Sequence, residues 1–475
     1  MRVLIRPHRF SGTLRAPASK SHAIRRLLLA ALGEGLSRID YPLDSLDARS
    51  CLGVCRAFGA DIREDRSPEG GNPNPPDEKG EGLVRWVVRG IGAGKAGGTI
   101  GAPQAPLDVG NSGTTLFLGL AAAALGREKV TFTGDEQIRR RSAAPLLKAL
   151  SALGIAVDSA GEGAAGDGPG EGYPPISVRG PWRGGRVSLP CPTSQYLSAL
   201  LIAAPLAPAG VLTEVDVPLL NEKPYIDLTL SYLRAQGVPF EAAADYSFFR
   251  IPGGAVYKSQ DGPVPGDFSS AAFPGLAAAI SGGPVTILGL DPEDPQGDKV
   301  FFDFLREMGC RVTWTREGGG ARPSPWELSL SRTGPLGAGT FDLNPCPDLL
   351  PAMAALGCYA RGDTALVNAA HARIKETDRI AVMVRELGEL GASVEEQPDG
   401  LVIHGQAGAE GGASRSDPGL GGGRADGHGD HRVVMALAAA ALGAAGPVEI
   451  SGAESAAVTY PGFLELLKAE EIGYD

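Results

Sequence analysis

Polar and apolar residues follow one another along this chain in a recurring order. One half of the order is a short polar cluster opening an Ala/Leu-rich stretch: Ser19-Lys20-Ser21, Asn111-Ser112-Gly113-Thr114, Thr193-Ser194-Gln195, Asp267-Phe268-Ser269-Ser270, Pro347-Asp348 and Asp430-His431-Arg432. The stretches that follow, such as Val433 to Leu442, are apolar on every face. That pattern predicts helices buried all round rather than amphipathic ones. The other half is a helix that stops at a glycine and leads into a strand, at Gly59, Gly154, Gly237, Gly309, Gly391 and Gly473. A glycine just past the last helical residue is a stop signal.

The period is about eighty residues, and each copy reads as strand, buried helix, strand, outer helix, then strands. Six copies fit the length, three to a domain, since 475 residues are too many for one ordinary core. Inserts rich in Gly, Pro and charge interrupt the order at Ser67 to Gly82, Ala160 to Gly172, Arg316 to Pro325 and Gly408 to Gly423. They read as flexible surface loops between strands.

Composition narrows the picture. With 43% apolar and 21% charged residues the chain has the make-up of a soluble globular protein. Apolar runs such as Leu197 to Leu206 are too short for a membrane span and are broken by Pro205 and Pro208. The N-terminus shows no signal-peptide pattern. Cys51, Cys55, Cys191, Cys310, Cys346 and Cys358 lack metal-ligand or disulfide spacing, as reduced thiols of a cytoplasmic protein would. A net charge of −11 and only 6% aromatic residues argue against a nucleic-acid surface. Neither excludes a small anionic ligand, which needs only a local basic cluster.

The polar clusters are where such a ligand would bind. Ser, Thr, Asn and Asp cap helices, and helix starts present free N–H groups with a positive dipole end. Lys20 and Arg25 accompany the first start, with Arg25 one turn beyond Ser21. Gly110 and Gly113 permit close backbone approach at the second. One of Arg139, Arg140 and Arg141 is a candidate for bidentate binding of a carboxylate or phosphate. In Arg373-Ile374-Lys375-Glu376-Thr377-Asp378-Arg379, a helix start would put Lys375 and Arg379 on one face beside Glu376, joining an acid/base carboxylate to two cations. Asp348 and the Asp430-His431-Arg432 cluster add further carboxylates and cations to the C-terminal half.

Taken in order, Ser19-Lys20-Ser21 with Arg25, Asn111-Ser112-Gly113-Thr114, Ser194-Gln195, Lys223-Pro224-Tyr225, Pro347-Asp348, Lys375-Glu376-Thr377-Asp378-Arg379 and Asp430-His431-Arg432 resemble the 5-enolpyruvylshikimate-3-phosphate synthase family nearly end to end. The resemblance implies an α/β fold of two inside-out, barrel-like domains, each with three βαβαββ repeats. Residues 1–18 with 250–475 would form one domain and 19–249 the other, inserted one, with the active site in the cleft between them. It implies that Lys20, Ser21, Arg25, Thr193, Ser194, Gln195, Tyr225, Asp348 and Lys375 bind shikimate 3-phosphate. Lys20, Gly113, Arg141, Arg379 and Arg432 would bind phosphoenolpyruvate. Asp348 would take the proton from the 5-hydroxyl, while Glu376 and Lys20 serve proton transfer at the enolpyruvyl group. Such addition and elimination needs one acid, one base and a fixed cationic cradle, with neither metal nor organic cofactor. A cytoplasmic monomer whose partners are its two small substrates is the matching expectation.

Three positions depart from the family pattern. Phe117 replaces an arginine, Glu222 a serine that helps bind the substrate phosphate, and Val458 a lysine. Each lost charge-assisted contact weakens binding by about 1.5–3 kcal/mol, and Arg26, Arg139 or Arg140 are the candidates to compensate. Two other readings share the fold. One is transfer to a UDP-N-acetylglucosamine acceptor, against which Val130 to Arg141 lacks the loop cysteine of that family. The other is a non-catalytic paralogue that binds a phosphorylated metabolite.

Overall fold

A computed structural model of the chain describes residues 1–67, 82–95, 99–160, 172–316, 324–405 and 419–472. The four inserts lie, for most of their length, outside the described residues, as does Gly473.

The helices come in alternating kinds, as the pattern requires. In chain order they are α1 (Lys20–Leu32), α2 (Leu46–Ala57), α3 (Gly113–Ala123), α4 (Ala144–Ala152), α5 (Gln195–Ala203), α6 (Lys223–Ala235), α7 (Phe268–Ser281), α8 (Val300–Glu307), α9 (Leu350–Gly357), α10 (Arg379–Glu389), α11 (His431–Ala441) and α12 (Phe463–Leu466). The odd-numbered helices are buried along almost their whole length; every residue of α3, α9 and α11 is buried. The even-numbered ones bury a single stripe, as α10 does with Ile380, Met383 and Leu387. Gly59, Gly154, Gly237, Gly309 and Gly391, which follow five of the outer helices, all have positive φ. A Cβ there would meet the following carbonyl, so glycine is the residue that turns the chain from helix into strand.

The described strands build six four-stranded sheets with one shared design. In each, one parallel pair is followed by two antiparallel partners. Leu107–Asp108 runs parallel to Val130–Thr133, which is followed by Ile176–Arg179 and then Ala156–Ser159. Gly423–Asp426, Val448–Ser451, Arg2–Ile5 and Glu470–Ile472 repeat the arrangement at the other end of the chain.

The chain divides into two compact units. One holds Met1–Ser19 and Pro265–Asp475, the other the described residues from Lys20 to Val264. Each contains three of these four-stranded sheets and three buried helices, and the unit with both termini adds a two-stranded pairing of Leu336–Gly337 with Ala360–Arg361. The return crossing falls after Val264, beyond the boundary expected at 249/250. The reason lies in strand pairing: Phe248–Pro252 is hydrogen-bonded to Leu212–Asp216, and Asp261–Pro263 runs parallel to Leu36–Asp40. Residues 250–264 are therefore held in the inserted unit. The crossings also exchange strands. Gly12–Arg15 precedes α1 but pairs with Val285–Leu288, while Asp261–Pro263 precedes α7 but pairs with Leu36–Asp40.

In the unit containing both termini, α7, α9 and α11 pack around one apolar core that includes Phe268, Phe273, Phe301, Phe302, Met353, Met435 and Phe463. Burying each such side chain contributes about 1.5–3 kcal/mol before the entropy of ordering is counted. With packing assigned to the helix middles, their polar first turns are left to carry chemistry.

Candidate active site

In the inserted unit, three helix starts collect the residues expected to hold ligand. Ser112 caps α3, its hydroxyl accepting the Thr115 N–H at 3.3 Å. Gly113 follows, and a Cβ built there would lie 2.6 Å from Arg141 Nη1 and 3.6 Å from Gln195 Oε1. The guanidinium therefore rests against backbone that only glycine leaves open. Gln195, first residue of α5, donates to Thr114 Oγ1 at 2.9 Å. Of the three adjacent arginines, Arg139 and Arg140 are exposed, and Arg141 is the one turned towards α3. Phe117 is buried, edge-on to the Tyr196 ring at 5.0 Å, so the position expected to be cationic is an apolar contact between α3 and α5.

Lys20 opens α1 and pairs with the buried Asp47 at 3.0 Å, a partner the sequence reading did not identify. Arg25 is 2% exposed. It donates to Thr229 Oγ1 at 2.9 Å, to the Ser21 carbonyl at 3.1 Å, to Ser198 Oγ at 3.3 Å and to the Tyr225 carbonyl at 3.5 Å. Burial pushes its pKa down to about 10. Ser21, Arg25 and Tyr225 are thus brought together, through Arg25. Arg26 is not a spare cation: it donates to the Pro263 and Asp261 carbonyls and so fastens the strand that closes this unit. Arg140 pairs with Glu136 at the surface.

Thr193 and Ser194 do meet an anion, but one belonging to the protein. Glu222 Oε2 accepts from the Ser194 N–H at 2.9 Å, the Ser194 hydroxyl at 2.7 Å and the Thr193 hydroxyl at 3.2 Å. Ser194 therefore makes no side-chain cap of its own.

In the other unit, the C-terminal motifs converge on Arg379. This side chain is 1% exposed, and three carboxylates surround it. Nη1 meets Asp348 Oδ1 at 2.8 Å, Nη2 meets Glu376 Oε2 at 2.5 Å, and Nε meets Asp430 Oδ2 at 2.8 Å. Asp430 also accepts the Arg432 N–H at 2.9 Å, capping α11, and the Thr377 hydroxyl at 3.1 Å. Asp348 lies between two guanidiniums, its Oδ2 being 3.0 Å from Arg432 Nη2. Sequence reasoning placed Asp430 in the cluster without a role; it is the residue that joins α10 to α11.

Burial by itself would raise the Asp348 pKa. The positive charges of Arg432, Lys375 and Arg379 outweigh it and hold the carboxyl well below the usual range. Burial likewise opposes ionisation of Asp430, and Arg379 reverses the balance. Arg379 in turn is held above its ordinary value because the surrounding carboxylates overcome the penalty of burial. Three cations, Lys375, Arg379 and Arg432, face three carboxylates, Asp348, Glu376 and Asp430.

One sequence expectation is corrected here. Lys375 does not share a helix face with Arg379. The segment before it is a 3-10 helix, Ala370–Ile374, and α10 begins only at Arg379. Asp378 sets that start, its side chain accepting the Ala381 N–H at 3.1 Å. Lys375 reaches Asp348 electrostatically from the non-helical link instead. Val458, last residue of the 3-10 helix Ala453–Val458, is half-buried and brings no charge.

Two α/β units of repeated βαβαββ order, with charged side chains gathered at their helix starts, define the enolpyruvyl transferase fold. The family model of EPSP synthase (3-phosphoshikimate 1-carboxyvinyltransferase) matches residues 5–75 and 84–467. The chain belongs to that family. A 3-phosphoshikimate 1-carboxyvinyltransferase of Acetivibrio thermocellus is 43% identical over 98% of this chain and 97% of its own length. One from Ruminiclostridium cellulolyticum is 40% identical over 97% and 96%. A solved EPSP synthase structure from Acinetobacter baumannii superposes with a TM-score of 0.74 at 27% identity, covering 98% of this chain and 97% of the other.

Proposed function

We propose that the chain transfers the enolpyruvyl group of phosphoenolpyruvate to the 5-hydroxyl of shikimate 3-phosphate. The reaction is that of its family, a step of the shikimate pathway towards chorismate and the aromatic amino acids. The residue roles are our reading, and what supports them most is the Arg379 cluster, which brings Asp348, Lys375, Glu376 and Arg432 together.

Phosphoenolpyruvate, with a phosphate and a carboxylate, binds to Arg379 and Arg432 and to Lys20, Gly113 and Arg141. Shikimate 3-phosphate engages Lys20, Ser21, Arg25, Thr193, Ser194, Gln195, Tyr225, Asp348 and Lys375. In the cluster as it stands, each cation is matched by a carboxylate, and Asp348 is a weak base. An incoming anion that recruits Arg379 and Arg432 withdraws positive charge from Asp348 and raises its basicity. Substrate binding thereby prepares the base. Asp348, whose side chain keeps 19% exposure, then removes the 5-hydroxyl proton as that oxygen bonds to the enol carbon. Glu376 and Lys20 serve proton transfer at the enolpyruvyl group, and one proton reaches the methylene carbon, giving a tetrahedral adduct. The same pair takes back a methyl proton as phosphate is expelled, which restores the double bond. Fixed cations stabilise the charge throughout.

The family match sets aside the UDP-N-acetylglucosamine acceptor. We take the enzyme to act in the cytoplasm and as a monomer, the second of which size-exclusion chromatography tests. Among the described residues no helix is long and apolar enough to cross a membrane. The reaction is tested by phosphate release from phosphoenolpyruvate. Release should require shikimate 3-phosphate, and release that ignores it would contradict the reading.

A further inference from the structure

Glu222 is 2% exposed, and one of its oxygens takes three donors at the start of α5, a helix of nine residues. A helix start furnished with two hydroxyls holds a phosphate oxygen in the same way. The carboxylate also lies close enough to Arg25 for its charge to support that guanidinium. Its backbone stands at φ 58°, ψ 41°, in the left-handed region, which a residue with a side chain adopts only where its surroundings impose it.

We propose that Glu222 is a resident anion filling the acceptor's phosphate subsite, and that it must withdraw before shikimate 3-phosphate can bind. The proposal rests on the assignment of Thr193 and Ser194 to that substrate. A phosphate and a carboxylate cannot share one set of donors, because each donor proton is used once and like charges at hydrogen-bond separation repel. Glu222 thus sets the affinity of this chain for the phosphorylated substrate without touching the reacting atoms.

The test is the Michaelis constant for each substrate in Glu222→Ser and Glu222→Gln, with thermal unfolding as a check on folding. Glu222→Ser should lower KM for shikimate 3-phosphate by a factor of about ten or more, while KM for phosphoenolpyruvate does not follow. Glu222→Gln keeps an acceptor for the Ser194 N–H but drops the charge, so it should fold as the parent does and lower the same KM by less. Thr193→Ala and Ser194→Ala should raise it. If those two raise it and neither Glu222 variant lowers it, the subsite stands and Glu222 is not its occupant. If Thr193→Ala and Ser194→Ala leave it unchanged, the subsite assignment fails and takes the proposal with it.

Discussion

Arg379 shows how far a single residue's surroundings can depart from what its neighbours in sequence suggest. Glu376, three positions earlier, is the only carboxylate of the three that lies close in the chain; Asp348 and Asp430 arrive from other elements. Removing one should leave a buried guanidinium under-compensated. Asp430→Asn should cost about 3–5 kcal/mol, measured by urea unfolding. The pH dependence follows from the depressed carboxyl pKa values. Such groups contribute stability that is present above their unfolded pKa, about 3.9, and is lost as pH falls through the lower folded value. The gap between parent and Asp430→Asn should accordingly stay constant through mildly acidic pH and close only below about pH 4. Asp348→Asn, which keeps shape and removes the base, should lower kcat by about 10²- to 10⁴-fold with the protein still folded. Parental turnover in that variant would remove Asp348 from the mechanism.

Among the elements, the buried helices were legible because nothing but an all-apolar stretch can be enclosed on every side, and their starts were legible because polar caps interrupt those stretches. The Lys375–Arg379 segment was misread because cap and helix interior draw on the same residue types. Asp378 decided the matter by capping, and α10 begins one residue later. Asp378→Ala should destabilise the protein by about 1 kcal/mol. It should also raise KM for phosphoenolpyruvate, since Arg379 is the first residue of the helix that the cap fixes. A stability loss without any change in KM would confine the cap to a structural role.

For the molecule as a whole, the exchange of strands makes the two ends of the chain interdependent. Arg2–Ile5 lies between Val448–Ser451 and Glu470–Ile472, with Val3 and Ile5 buried, and Gly12–Arg15 edges the sheet of Val285–Leu288. Deleting residues 1–15 removes an inner strand from one sheet and an edge from another. The unit containing Pro265–Asp475 should then lose its protease resistance, checked by limited proteolysis of the truncated chain against the full one.

The sequence by itself determined the repeat, the two kinds of helix, the glycine stops and the identity of the charged residues at the helix starts. These depend on periodicity, burial and local backbone preference, all written in neighbouring residues. The tertiary structure alone decided which partner each charge has: Asp47 for Lys20, Thr229 and Ser198 for Arg25, Asp430 for Arg379, and Glu222 for the donors of Thr193 and Ser194. It also decided that the inserted unit extends to Val264. Hydrogen bonds need contact at about 3 Å and charges are screened beyond about 8–10 Å, so both are settled by which residues folding brings together, and separation along the chain carries little of that information.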